Sequence, residues 1–103
     1  MKARRKRKSI SEESFKATVQ TWALKVRVKP KQIRVQKMTR KWASCSTKGY
    51  LTFSAKLLHE APMFQDFVIV HELLHLKIPN HGKLFKSLLS AHVSGWRRWE
   101  KKI

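Results

Sequence analysis

Phe67-Val68-Ile69-Val70-His71-Glu72-Leu73-Leu74-His75-Leu76 decides the fold, because it is apolar nearly all round and carries two histidines four residues apart. A segment of this kind, running from about Met63 to Ile78, predicts a helix buried in the middle of a domain and stopped by Pro79-Asn80. Positions i and i+4 of a helix lie about 40° apart on one face, so His71 and His75 can reach one ion at Zn–N distances of about 2.0–2.1 Å. Glu72 is turned about 100° from His71. Its carboxylate therefore falls beside such an ion, where it can hydrogen-bond a water held there. The alternative is that both histidines are core residues and Glu72 is paired within the fold. Burying an uncompensated glutamate on so apolar a helix is costly, which weighs against it.

A third ligand is needed, and His81 follows beyond the Pro79-Asn80 break, which lets the chain double back. Three neutral imidazoles leave one tetrahedral position open, as in catalytic zinc sites and unlike closed structural ones. Zinc there lowers the pKa of water toward ~7 and polarises a carbonyl, while Glu72 takes the proton and hands it to the leaving amine. The expected cofactor is one zinc ion per chain. His59 and His92 lack ligand spacing to the motif. Cys45 reads as a small buried hydrophobe on a strand, with thiolate ligation as the weaker alternative.

Outward from this helix, Phe15, Val19, Trp22, Ala23 and Val26 recur at helical spacing, predicting a helix over roughly 11–28, with Ser9 and Glu12 as a capping box and Pro30 closing it. Ile33 and Val35 alternate with polar neighbours in a strand near 32–38. Trp42–Ser46 and Tyr50–Phe53 read as a hairpin about Thr47-Lys48-Gly49, and Leu57 and Leu58 as a short helical turn. Leu84, Phe85, Leu88, Leu89 and His92 mark a further helix, and Gly95 precedes a Trp-rich end. The fold class expected is α+β: a small three-stranded sheet on an N-terminal helix, a buried central helix and C-terminal helices.

At 103 residues the chain suits one domain with a modest core, and a two-domain enzyme is excluded. Residues 1–10 read as a basic flexible tail and 11–103 as the domain. A bilayer span needs roughly 20 apolar residues, far more than Phe67–Val70 offers. Met1–Lys8 is followed by Ser9-Ile10-Ser11-Glu12-Glu13-Ser14 where a signal peptide would have its apolar region. Cys45 is the single cysteine, so an intramolecular disulfide and the Cys₄ and Cys₂His₂ structural zinc patterns are excluded, and a reducing cytoplasm fits best. The net charge is +18, with 24 Lys and Arg against six acids, and it is concentrated in the N-terminal half.

The run Met38-Thr39-Arg40-Lys41-Trp42-Ala43-Ser44-Cys45-Ser46-Thr47-Lys48-Gly49, then Leu51-Thr52-Phe53, Ala61-Pro62, Asp66 through Leu76, and Asn80-His81-Gly82-Lys83-Leu84-Phe85 resembles the YgjP-like metallopeptidases, with the small minigluzincins in the same circle. The resemblance covers about residues 11–99. It implies a zincin-like metallopeptidase domain in which His71, His75 and His81 bind zinc and Glu72 is the general base, with the zinc helix at the floor of a cleft. Ala43 stands where the family usually has Gly, and longer relatives carry an additional N-terminal region, so their substrate choice does not carry over.

Peptide hydrolysis is thus the leading reading. Its substrate is a peptide or unfolded protein that pairs with an edge strand over the cleft, and Leu51, Thr52, Phe53 and Ser54 are the candidate edge. A second reading is nucleic-acid binding through the basic N-terminal half, notably Arg4-Arg5-Lys6-Arg7-Lys8, against a plain solvated tail. A third is metal-dependent hydrolysis of a nucleotide or phosphate ester, which the absence of a Gly-rich phosphate loop disfavours. Minigluzincins can be kept latent by their C-terminal segments. Here Gly95 would hinge residues 95–103 over the cleft, Trp96 and Trp99 filling side-chain pockets and Glu100 or the Ile103 carboxylate reaching the metal position. The competing reading packs Trp96 and Trp99 on the core.

Overall fold

The computed structural model describes residues 9–102. Helix α1 spans Glu12–Val26 and buries Phe15, Val19, Ala23 and Val26, the stripe expected from the sequence. Its cap is Ser11 rather than Ser9: the Ser11 hydroxyl accepts from the Ser14 N–H at 3.0 Å, with Glu12 and Glu13 in the first turn favouring the helix dipole. Ser9 is engaged elsewhere, its hydroxyl bonding His59 Nδ1, and the Ile10 N–H donates to the Leu58 carbonyl at 3.2 Å. The basic run Met1–Lys8 lies outside the described residues. The helix ends ahead of Pro30, at Arg27, whose left-handed φ of 67° turns the next amide back so that the Val28 N–H reaches the Ala23 carbonyl at 3.0 Å.

Three strands follow: β1 (Gln32–Gln36), β2 (Ala43–Cys45) and β3 (Tyr50–Ser54). Their order is β1-β3-β2, with β1 parallel and β2 antiparallel to β3. The expected edge, Leu51–Ser54, is thus the central strand, with main-chain partners on both sides. The free edge on the hairpin side is β2. Antiparallel pairing alternates inward and outward main-chain groups. The Ser54 N–H donates to the Trp42 carbonyl at 2.8 Å and the Ser46 N–H to the Tyr50 carbonyl at 2.9 Å, so Trp42, Ser44 and Ser46 face β3. Ala43 and Cys45 are left to present their main chain outward. Gly49 turns the hairpin with φ +90°, a conformation that penalises a β-carbon. Leu51 and Phe53 bury one face of the sheet, where Phe15 meets Phe53 edge-on at 5.1 Å.

A 3₁₀ turn, Ala55–His59, leads into helix α2 (Pro62–Leu74), which starts on Pro62, where no amide donor is missed. Buried Gln65 donates its amide to the Leu57 carbonyl at 2.9 Å and the Glu60 carbonyl at 3.2 Å, tying that turn to the helix. The α2 helix stops at Leu74 rather than at Ile78 as expected. The chain tightens there: His75, Leu76 and Lys77 donate three residues back at 3.1, 3.0 and 3.1 Å. Helix α3 (Lys83–His92) buries Phe85 and Leu89, and a 3₁₀ segment, Trp96–Lys102, ends the described chain.

That last segment is core on one side. Trp96 is 5% exposed, stacks on Phe67 at 6.4 Å, and donates its indole N–H to Ser90 Oγ at 2.8 Å. Trp99 lies 5.6 Å from Phe64, ring to ring. The Trp42 indole donates to the Lys102 carbonyl at 3.2 Å, and Lys102 Nζ pairs with Glu60 Oε1 at 2.8 Å. The tryptophans pack on the core, as the competing reading expected, and Ile103 lies outside the described residues.

Candidate active site

His71 and His75 stand one turn apart near the end of α2, ring centroids 4.9 Å from each other. His81 comes back to them from the loop before α3, at 5.1 Å from His71 and 4.7 Å from His75. The Asn80 side-chain oxygen accepts the Gly82 N–H at 3.2 Å and folds that loop back. One ligand nitrogen from each imidazole lies within 4.8 Å of the other two, and the Nε2 atoms of His75 and His81 are 2.9 Å apart. Nitrogens sharing a tetrahedral ion at about 2.0–2.1 Å sit roughly 3.3 Å from one another, so the set is spaced to converge on one ion.

The surroundings prepare these rings as ligands. The His75 Nδ1 lies 3.2 Å from the Ile78 carbonyl, which only accepts, so the proton sits on Nδ1 and the Nε2 lone pair faces the cluster. The early end of α2 makes this bond reachable. Phe85 packs on all three imidazoles at 5.4, 4.8 and 4.8 Å. Burial, followed by the neighbouring His71 and His75, holds His81 below the usual imidazole range, favouring the neutral ring that ligates. Three neutral imidazoles are a donor set that fits a zinc-like divalent ion.

Glu72 Oε2 lies 3.1 Å from His71 Nδ1, and both side chains are largely buried, 12% and 17% exposed. Glu72, His71 and His81 line a cleft of about 590 Å³. Trp42 and Ala43 form its wall on the β2 side; Phe85, Trp96 and Glu100 close the other side. The structure thus brings His71, Glu72, His75 and His81 together and leaves Leu51–Ser54 inside the sheet. Sequence reasoning missed Ala43 and Cys45 as the exposed edge. Cys45 is not part of the histidine cluster, and burial and then the Glu72 carboxylate push its thiol up.

A family model for the YgjP-like metallopeptidase domain matches residues 2–103. The chain belongs to the YgjP-like metallopeptidase family. Among solved structures, the metallopeptidase zymogen jannalysin of Methanocaldococcus jannaschii is similar at a TM-score of 0.73 and 25% identity, over 86% of this chain and 97% of that one. The metallopeptidase zymogen abylysin of Pyrococcus abyssi shares the fold at a TM-score of 0.74 and 18% identity, over 85% of this chain and 90% of that one. No curated protein matches the chain. The protein is an α+β metallopeptidase whose substrates are peptides, with a three-histidine cluster for a metal ion. Among the described residues no helix is long and apolar enough to cross a membrane. The family lends no support to the nucleic-acid and phosphate-ester readings.

Proposed function

We propose that this metallopeptidase works with one zinc ion held by His71, His75 and His81, and with Glu72 as general base. The observation that supports this most is the convergence of three imidazoles beside Glu72, in a cleft walled by a free strand edge. Zinc, when bound, supplies a Lewis acid that activates water near neutral pH and polarises the scissile carbonyl. The outward main chain of Ala43 and Cys45 aligns an extended peptide by strand addition. Glu72 accepts the proton of the attacking water on its carboxylate and returns it to the leaving nitrogen. Phe85 keeps the histidine side of the cleft apolar, which strengthens these charge interactions. The single free thiol suits the cytoplasm.

The test measures zinc per chain and cleavage of an unfolded protein, comparing wild type with Glu72→Gln. The variant is expected to keep the metal and lose about 10²–10⁴-fold in kcat. Activity that survives the substitution, or a chain without affinity for zinc, ends the proposal.

We further propose that the C-terminal segment restrains the enzyme. Glu100 and Lys102 line the cleft, and jannalysin and abylysin were both solved as zymogens. The restraint falls to residues from Glu100 onward, because Trp96 and Trp99 pack on Phe67 and Phe64. A chain ending at Trp99 keeps that packing and should hydrolyse peptides faster than the full chain. An unchanged rate with an unchanged fold dismisses the idea.

A further inference from the structure

A second cavity, of about 500 Å³, lies at the other end of β2, between the hairpin turn, the link from α1 to β1 and the residues that follow α2. His75 borders it, and Lys29, Lys31, Lys48 and Lys77 line it with no acidic side chain among them. Lys77 Nζ is anchored on the Val26 carbonyl at 2.8 Å, whereas Lys29, Lys31 and Lys48 form no ion pair among the described residues. The first cleft carries Arg40, Lys41, Lys86 and Lys102 too, but there Glu72 and Glu100 lie among them, beside Phe85 and Trp96.

The two cavities are joined by the machinery already described. Strand β2 runs from Ala43, at the first cleft, toward Ser46, at the second, and the chain passes from Glu72, on α2, at the first to His75, just past its end, at the second. A peptide paired with Ala43 and Cys45 therefore extends over both. Antiparallel pairing is the more stable per residue, and it sets the N-terminal part of the peptide over the lysines. At about 3.4 Å per residue, the lysine cavity falls roughly two to four residues from the scissile bond.

We propose that this cavity is a substrate subsite for an acidic side chain, Asp or Glu, on the N-terminal side of the cut, its carboxylate held by charge-assisted bonds from Lys31 and Lys48. The proposal rests on the peptidase reading and names its preferred substrate class. It differs from the general attraction of a basic protein for acidic peptides, because a subsite favours one position and a diffuse field favours none.

The test uses one extended peptide in which a single Glu is moved along a Gln background. It reads kcat/KM on the zinc-loaded chain, and binding, by fluorescence anisotropy, to the zinc-loaded Glu72→Gln chain. Glu at one N-terminal position should exceed Gln there by about five- to tenfold in both readings. Lys31→Glu with Lys48→Glu should abolish that preference and favour Lys at the same position. Arg34→Glu with Lys37→Glu makes the same charge change on β1 and just beyond it, and should leave the preference intact; circular dichroism checks that both variants fold. Hydrolysis without position dependence, or equal loss in both variants, overturns the subsite alone. If no peptide is cut by the full chain or by the chain ending at Trp99, the peptidase reading fails, and binding to the Glu72→Gln chain still decides whether the lysines select an acid.

Discussion

His75 closes α2 and faces the metal cluster at once, with its Nδ1 proton fixed by the Ile78 carbonyl. His81 is the exposed member of the cluster and is brought in by a loop. Replacing it with Ala should therefore spare the metal-free fold and weaken zinc binding by more than about a hundredfold, since even outer partners of a ligand are worth 10–100-fold. A chelator should then lower the melting temperature of the wild type and leave His81→Ala unmoved. Equal shifts in both would contradict the assigned ligand. Asp66 makes a different prediction. Its carboxylate accepts the Trp22 indole N–H at 3.0 Å between α1 and α2, and burial pushes its pKa up against the opposing pull of Trp22 and Lys25. A carboxyl raised in the fold contributes stability that is present below its ordinary pKa of about 3.9 and is lost as pH rises through the folded value. Asp66→Asn keeps the acceptor and removes the charge, so its stability relative to wild type should rise between about pH 4 and about pH 7. Denaturant midpoints at the two pH values check the sign.

Among the elements, the helices were legible because their apolar stripes are local: Phe15, Val19, Ala23 and Val26 announce α1, and Phe85 and Leu89 announce α3. The chemistry on α2 was legible for the same reason, four residues being about one turn. Strand order was not. Ile33 and Val35 are only half-buried, and nothing local says whether β1 joins the hairpin beside β2 or beside β3. That choice decides which strand lies at the sheet's edge, so Leu51–Ser54 was read as an edge although it is the central strand, while the three histidines that cluster were picked out. The end of α2 escaped as well, because Leu76 and Ile78 continue the apolar pattern while packing on the core from a tightened turn. Phe64 joins these elements, meeting Trp42 at 5.0 Å, Phe67 at 6.2 Å and Trp99 at 5.6 Å. Phe64→Ala should cost about 3–5 kcal/mol and loosen the C-terminal segment along with the β2 wall. Hydrogen exchange confined to α2, with the Trp99 region still protected, would contradict that linkage.

Across the whole molecule, 24 basic residues face six acids. Two Lys–Glu pairs, Lys16–Glu12 and Lys102–Glu60, are formed among the described residues, so little of the repulsion is met by contact. Mobile ions must screen the rest, with a Debye length of about 10 Å at 0.1 M. The melting temperature should therefore climb as salt is raised from roughly 0.01 M to 0.3 M, and more for chloride than for an uncharged osmolyte at equal osmolality. A flat profile would mean that the charges are too dispersed to oppose folding.

Strand β2 is three residues long and turns outward the main chain of Ala43 and Cys45 alone. Two residues give at most four hydrogen bonds, each worth about 0.5–1.5 kcal/mol net, and the cost of association offsets much of the total. No segment is held long by such a grip. A folded protein whose strand loosens for microseconds closes again before it is captured, whereas a chain that stays open is met repeatedly until it is cut. If β2 is the edge that takes the substrate, as proposed, the shortness of this one strand would make the enzyme a timer that selects its targets by how long they remain unfolded.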